Sequence, residues 1–300
     1  GDVVRFSNLL ESHVIGDPTF RFAPVPGSVD VDGLLLQNKA SFWKKLLKSP
    51  LPDVQSLAIE QLRRAGALSS ADLLRIYRES PYGVVRLEAL MALSATPDNH
   101  FITAVTEASQ DAYELVQRQA IRFIAKNGDR RLIPALIRLS IANNTSDRCN
   151  FNVMTALACF PKEDLLAEFD RQFDAPSVQY LDKNNLRGKI RNTIAHSADR
   201  LTTDIDKVVK GEASEKDRTF TIRALRNTLP HHKVPELLVY LQDCGDGNTQ
   251  ILLLEALGWH TVSCHAADIA ATALKMSEDA SLPNTVRQEA LKTYRRIHEK

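Results

Sequence analysis

One short helical pattern recurs along the chain and constrains its fold more than any other feature. A valine is followed four residues later by an alanine, then at once by a large aliphatic residue, and by another three positions further on. The three clearest copies begin at Val54, Val85 and Val116, each 31 residues from the next. On a helix these positions form one apolar stripe, and the alanine lets a neighbouring helix approach closely.

Further copies follow towards the C-terminus. Weaker ones lie near Val153, Ile190, Ala224 and Leu253, and a clear one begins at Val286. Counted from alanine to alanine or its equivalent, the spacings are 31, 31, 33, 37, 34, 29 and 37 residues. Such irregular spacing is typical of repeated units whose insertions lie in the turns.

Each copy is preceded by a second amphipathic segment, as at 71–79, 132–143 and 234–242. One helical hairpin cannot bury both of its faces, so units of this kind stack. The sequence therefore predicts an all-α fold, an α-α superhelix of about eight stacked hairpins, with more than about 60% helix. A compact helical bundle is the alternative. Four alanines are expected to be buried between helices: Ala58, Ala89, Ala120 and Ala290.

The Val-Arg step at Val85-Arg86 and Val286-Arg287, followed by an Ala-Leu pair, resembles the second helix of HEAT and HEAT-like, armadillo-type repeats. The resemblance covers about residues 34 to 298 and weakens near 149 and 186. It implies a solenoid whose second helices line the concave face, but no particular function, because scaffolds, transport receptors and some enzymes share this architecture. We assign residues 34–300 to the repeat domain and residues 1–33 to an N-terminal extension or cap.

Charge is distributed unevenly between the two kinds of helix. The whole chain has a net charge of +1, whereas the segments predicted as second helices sum to +8, mostly towards the C-terminus. The solenoid would thus carry a basic groove, unless these cations pair with acidic side chains of adjacent units. The predicted partner-binding residues are Arg187, Arg191, Arg223, Arg226 and Arg287. Lys189 lies about 200° around the helix from Arg187 and should point elsewhere.

These features favour a non-catalytic binding scaffold whose concave face takes an acidic protein or peptide segment. Binding of nucleic acid in the same groove is one alternative. An enzyme, or a binder of a small ligand or metal, is another, with its site at a late group of His and Cys residues. That group comprises His231, His232, Cys244, His260, Cys264 and His265. Their spacing matches no zinc motif, and the chain has no nucleophile elbow, phosphate loop or HExxH motif, so we assign no catalytic residue, metal or cofactor.

The sequence leaves the compartment and the oligomeric state open. No run of eighteen apolar residues occurs, so we expect no membrane insertion within this chain. Four cysteines without a CxxC pair favour a reducing compartment such as the cytoplasm. The chain opens on Gly1-Asp2 without methionine, as expected if an upstream signal or membrane anchor has been removed.

Overall fold

The structure, a computed structural model, describes residues 30–37, 39–142, 145–175 and 183–298. Helix accounts for 75% of these residues, and no strand occurs among them. The prediction of an all-α fold is therefore confirmed. Most of the predicted N-terminal extension, residues 1–29, lies outside the described residues, and the boundary at residue 33 falls within the first helix.

Sixteen α-helices lie within the described ranges. They are α1 (Val31–Leu35), α2 (Ala40–Leu46), α3 (Pro52–Arg64), α4 (Ser70–Glu79), α5 (Gly83–Leu93), α6 (Asn99–Ala108), α7 (Glu114–Asn127), α8 (Ile133–Ile141), α9 (Asp147–Leu157), α10 (Lys162–Phe173), α11 (Lys183–Val209), α12 (Glu215–Leu225), α13 (Val234–Asp243), α14 (Gly247–Leu257), α15 (Ala266–Glu278) and α16 (Asn284–His298). Two short 3-10 helices, Arg130–Leu132 and His231–Lys233, lead directly into α8 and α13.

The helices that carry the repeated stripe pack against one another in chain order. Helix α3 contacts α5, α5 contacts α7, and α7 contacts α9; further on, α12 contacts α14, which contacts α16. Helices α4 and α6 likewise pack together, as do α8 and α10. All four predicted alanines are 0% exposed, which confirms that they lie at helix contacts. A small residue is needed there because a larger one would push the backbones apart.

A side-chain donor ties each of six second helices to the last residues of the preceding helix or to the turn that follows that helix. The donor residue directly follows the first residue of the stripe. Its side chain therefore extends from the start of the helix towards the segment of chain that leads into it. The donors and their acceptor carbonyls are Gln55 to Ser49 (2.5 Å), Arg86 to Ser80 (3.2 Å), Gln117 to Ser109 (3.0 Å), Asn150 to Thr145 (3.2 Å), Gln250 to Leu241 (3.1 Å) and Arg287 to Ser277 (3.2 Å). This bond explains the Val-Arg step, and glutamine or asparagine can make it as well.

The repeat becomes irregular at α11. This helix runs unbroken for 27 residues, and so joins the second helix predicted near Ile190 to the helix that follows it. Ile194 and Ala198 belong to one hydrophobic core, whereas Leu201 and Ile205 belong to the next. The copy expected at Ala224 is also shifted by one residue, because Leu225 is fully buried and Ala224 is only half-buried.

Two large cores follow from this arrangement. The first extends from Ile59 to Ala198, with a small cluster around Trp43 at its N-terminal end. The second extends from Leu201 to Ile297. We call the parts of the chain that build them the first half and the second half; α11 contributes to both.

Candidate functional site

Two of the five predicted arginines lie on α11 and turn towards α10. Arg187 donates to Asp170 at 2.9 Å and also pairs with Asp174, while Arg191 lies 3.5 Å from Asp170. Lys189 points away from these carboxylates and lines a cleft against α9, as its position on the helix predicted. Arg187 and Arg191 therefore stabilise the contact between α10 and α11.

The other three arginines have different surroundings. Arg226 pairs with Glu255 at 3.1 Å, and Arg287 donates to the carbonyl oxygen of Ser277. Arg223 is exposed and has no partner among the described residues. Three of the five predicted guanidinium groups thus pair with carboxylates, as the alternative of internal pairing anticipated, and a fourth donates to a backbone carbonyl. Their role in binding a partner stays a prediction.

Arg226 also belongs to a cluster around Trp259, whose side chain is 50% exposed. The guanidinium carbons of Arg226 and Arg296 lie 4.9 and 5.2 Å from the centre of the indole ring. The indole N–H donates to Glu255 at 2.7 Å, and Arg296 lies 3.4 Å from Glu289. Cations and carboxylates balance here, so the cluster joins the ends of α12, α14 and α16 without presenting a net positive charge.

A different surface combines exposed apolar side chains with arginines that the fold does not use. It lies on α5, α7 and α9, three second helices that pack in succession. We call it the arginine–apolar face. Its residues are Val84, Met91, Leu115, Arg118, Arg122, Arg148, Phe151 and Met154. Phe151 is the most exposed of its apolar members, at 74%.

All members of this face except Met154 occupy corresponding positions on their helices. Val84, Leu115 and Arg148 each stand five residues before the buried stripe residue at the middle of their helix. Arg118 and Phe151 stand two residues before it, on α7 and α9 respectively. Because the helices stack in the same register, these positions lie on one side of the molecule.

The arginines of the face are available to a partner. Arg118, Arg122 and Arg148 form no ion pair or side-chain hydrogen bond within the part of the chain that the structure describes. The Nε of Arg118 is buried and lacks an acceptor there. A buried donor without an acceptor is costly, so a partner that supplies a carboxylate gains from this site. Charge counting missed the face because α7 and α9 also carry acidic residues near their starts.

Two histidines of the late His and Cys group, His231 and His260, are buried and hydrogen-bonded within the fold. His231 is only 2% exposed, and its Nε2 lies 2.8 Å from the carbonyl oxygen of Ala125. A carbonyl can only accept, so Nε2 carries the proton, and Nδ1 accepts from the hydroxyl of Ser263 at 3.0 Å. His260 is also buried, with Nε2 donating to the carbonyl of Leu225 at 2.7 Å.

These environments keep the imidazoles neutral. Burial lowers the pKa of His231 to about 3, partly offset by its hydrogen bond to Ala125. Burial likewise lowers the pKa of His260 and raises the pKa of Cys244 and, to about 11, that of Cys264. Neutral thiols are poor nucleophiles and poor metal ligands. Over the described ranges, no three His, Cys, Asp or Glu side chains converge as metal ligands.

His231 lies at a contact between turns of the two halves, which we call the interlock. It comprises Ala125, Asn127 and Cys159 from the first half and His231, Val262, Ser263 and Cys264 from the second. The backbone N–H of His231 donates to the Cys159 carbonyl at 3.0 Å. Asn127 donates from its side chain to the Val262 carbonyl and accepts from the Cys264 N–H through its backbone, both at 2.8 Å. Residues 72 to 137 positions apart are thereby held together.

Gly128, which ends α7, makes the interlock possible. Its φ is +72°, a left-handed conformation that favours glycine. A Cβ at this position would lie 2.0 Å from the His231 ring. Any other residue would therefore both strain the backbone and displace the imidazole.

None of the helices in the described part of the chain is long and apolar enough to cross a bilayer. No protein-family model matches this chain, and no curated protein is significantly similar to it.

Proposed function

We propose that this chain is a non-catalytic binding scaffold, built as a HEAT-like solenoid, that receives an acidic amphipathic helix or peptide on the arginine–apolar face. The stacking of second helices and the repeated donor to the preceding turn support the solenoid. The single observation that carries the binding role is the presence of three unpaired arginines among exposed apolar side chains on α7 and α9.

The chemistry of the face favours an acidic peptide. Guanidinium groups bind carboxylates in a bidentate manner, and a partly desolvated one such as Arg118 binds them more strongly than one in water. Exposed Leu115, Phe151 and Met154 offer apolar contact area between these cations. An amphipathic helix presents an apolar stripe along its length with acidic residues on either side of it, so it can satisfy both kinds of group at once.

Nucleic acid fits the same face less well. A groove that tracks phosphates needs a continuous row of cations, and one that holds single strands uses aromatic rings for stacking. Here the apolar members other than Phe151 are aliphatic or thioether side chains. The chain as a whole is also nearly neutral, with a net charge of +1.

Binding of a fluorescent synthetic probe tests the proposal. The probe is a helical peptide of about 20 residues with Leu at every third or fourth position and Glu or Asp at most others. We expect Arg118→Glu with Arg122→Glu to weaken its binding about 100-fold or more, since two charge-assisted contacts become repulsive. Affinity should also fall as salt is raised.

The matched control reverses Arg200 and Arg223, which are also unpaired in the described chain but lie on α11 and α12. This variant should bind the probe like the parent. Loss of binding in the control alone would move the site to the second half. Preference for a 20-nucleotide DNA over the peptide, with steep salt dependence, would replace the proposal by nucleic-acid binding.

A further inference from the structure

The regular stacking of second helices opens at one place, between α9 and α11. On α5 and α7, the residue that directly follows the middle of the stripe is Leu90 or Ile121, and both are fully buried. The equivalent residue of α9 is Met154, which is 40% exposed. Helix α11 therefore leaves part of α9 uncovered, and a cleft of about 300 Å³ lies between the two helices.

The floor of this cleft is apolar. Val153, Leu157 and Ile194 form it, each from a fully or nearly fully buried position. Two polar residues on the walls are already satisfied: the hydroxyl of Ser140 donates to the carbonyl of Leu136, and that of Thr193 donates to the carbonyl of Lys189. The volume is at the lower end of the range of about 300–1,000 Å³ for ligand pockets. It suits one large apolar side chain better than a cofactor.

One cation, Lys189, lies at the mouth of the cleft. It is exposed and has no carboxylate partner, and no acidic residue lines the cleft, among the residues that the structure describes. Its neighbours on α11, Arg187 and Arg191, are turned to the opposite side and paired with Asp170. The mouth thus combines an apolar opening with an uncompensated positive charge.

The cleft is continuous with the arginine–apolar face. Met154 belongs to both, and Phe151 precedes it by three residues on the same side of α9. We propose that the cleft is the anchor pocket of that face: it takes one large apolar side chain of an acidic helical partner, and Lys189 pairs with a carboxylate one turn away on the same partner. This inference rests on the function proposed above and specifies how the partner is held.

The pocket gives the partner its register on the face. Carboxylates along a helix can pair with Arg118, Arg122 and Arg148 in several offsets, because long cationic side chains adapt to small shifts. The apolar side chain of the partner enters the cleft in only one of these offsets. The pocket therefore supplies specificity, and the arginines supply most of the long-range attraction.

Filling the cleft tests the proposal with the same acidic peptide. Thr193→Phe places a ring in the cleft, whereas Asn192→Phe adds the same ring one residue away on an exposed position outside it. We expect Thr193→Phe to weaken binding about tenfold, as expected when one large apolar side chain is left unburied, and Asn192→Phe to leave it unchanged. Lys189→Glu changes an exposed residue at the mouth and leaves the apolar floor intact; it should weaken binding to a similar degree, and Arg200→Glu should not.

A peptide series identifies the anchor. Replacing each leucine of the probe by alanine in turn should show one position whose loss weakens binding to the parent about tenfold but has no effect on the Thr193→Phe variant. Equal effects in both proteins, or unchanged binding in Thr193→Phe and Lys189→Glu, would overturn the anchor pocket. If the anchor pocket is overturned in this way but Arg118→Glu with Arg122→Glu still abolishes binding of the peptide, the proposed function stands. A parent protein that does not bind the peptide would overturn both.

Discussion

The segments predicted as second helices up to residue 160 carry a combined charge of +1, and those beyond it carry +7. Yet the unpaired arginines that share one face with apolar residues lie in the first half. In the later segments, arginines such as Arg187 and Arg226 pair with carboxylates, and Arg287 binds a backbone carbonyl. The net charge of a helix thus reports only its composition. Whether an arginine is free to bind a partner depends on which carboxylates and carbonyls the fold places beside it.

The two halves also differ in the regularity of their packing. In the first half, alanine stripes stack at nearly constant spacing, and the surface they leave is correspondingly regular. In the second half, α11 replaces two helices, and the stripe of α12 is shifted to Leu225. The irregular half compensates with more specific polar contacts, including the buried His231 of the interlock. Repetition therefore leaves a regular surface, whereas the irregular half is joined to it by specific polar contacts.

Removing the His231 side chain should break the connection between the halves. His231→Ala leaves the Ala125 carbonyl and the Ser263 hydroxyl without their partners and creates a cavity, so we expect a loss of about 3 kcal/mol or more. Trp43 lies in the first half and Trp259 in the second, so fluorescence of single-tryptophan versions reports each half separately during urea unfolding. The two midpoints should coincide in the parent and separate in the variant.

The control for this experiment is His196→Ala, which removes an exposed imidazole from α11. It should unfold like the parent. Coincident midpoints at the parent's urea concentration in His231→Ala would show that the two cores are coupled through α11 alone.

Replacing an alanine by leucine should cost more stability on the regularly packed helix α5 than on the shifted helix α12. Ala89→Leu inserts three carbons at a fully buried contact between α5 and its neighbours, and overpacking of this kind costs about 1–3 kcal/mol. Ala224→Leu should cost less than about 0.5 kcal/mol, because this alanine is half-exposed on α12. Thermal melts of both variants decide the matter. Equal melting temperatures would mean that the two helices do not differ in register.

Acid should weaken the interlock before it affects the regular half. The pKa of His231 is about 3 in the fold against 6.5 for an ordinary histidine, so the unfolded chain binds the extra proton first. The stability that the neutral ring contributes is present above pH 6.5 and is lost as the pH falls below it, by about 1.4 kcal/mol at pH 5.5. His232, His260 and His265 disfavour its charge further.

Urea unfolding at pH 8 and pH 5.5 measures this loss. In His231→Gln the dependence on pH should be smaller by about 1.4 kcal/mol, since the titrating ring is absent. An unchanged dependence in that variant would assign the acid sensitivity to other groups.

The sequence predicted those features that rest on short-range periodicity. The 3.6-residue stripe located most helices to within a few residues, and the alanines at its centre were correctly expected to be buried. It also predicted that Lys189 would point away from Arg187, because that depends only on the turn of one helix. The pairing of Arg226 with Glu255, the interlock and the cleft beside Met154 depend on contacts between distant segments, which no pattern within one helix encodes.

The length of α11 has an evolutionary consequence. At 1.5 Å per residue, its 27 residues form a rod of about 40 Å, and each residue added would turn everything beyond it by about 100°. The interlock at His231 also joins the two halves, so it fixes the angle between them that α11 must produce. Turns elsewhere can gain or lose residues without such a penalty. Homologues should therefore differ in turn length but keep α11 free of insertions and deletions, so that its length identifies true relatives even where the side chains have diverged.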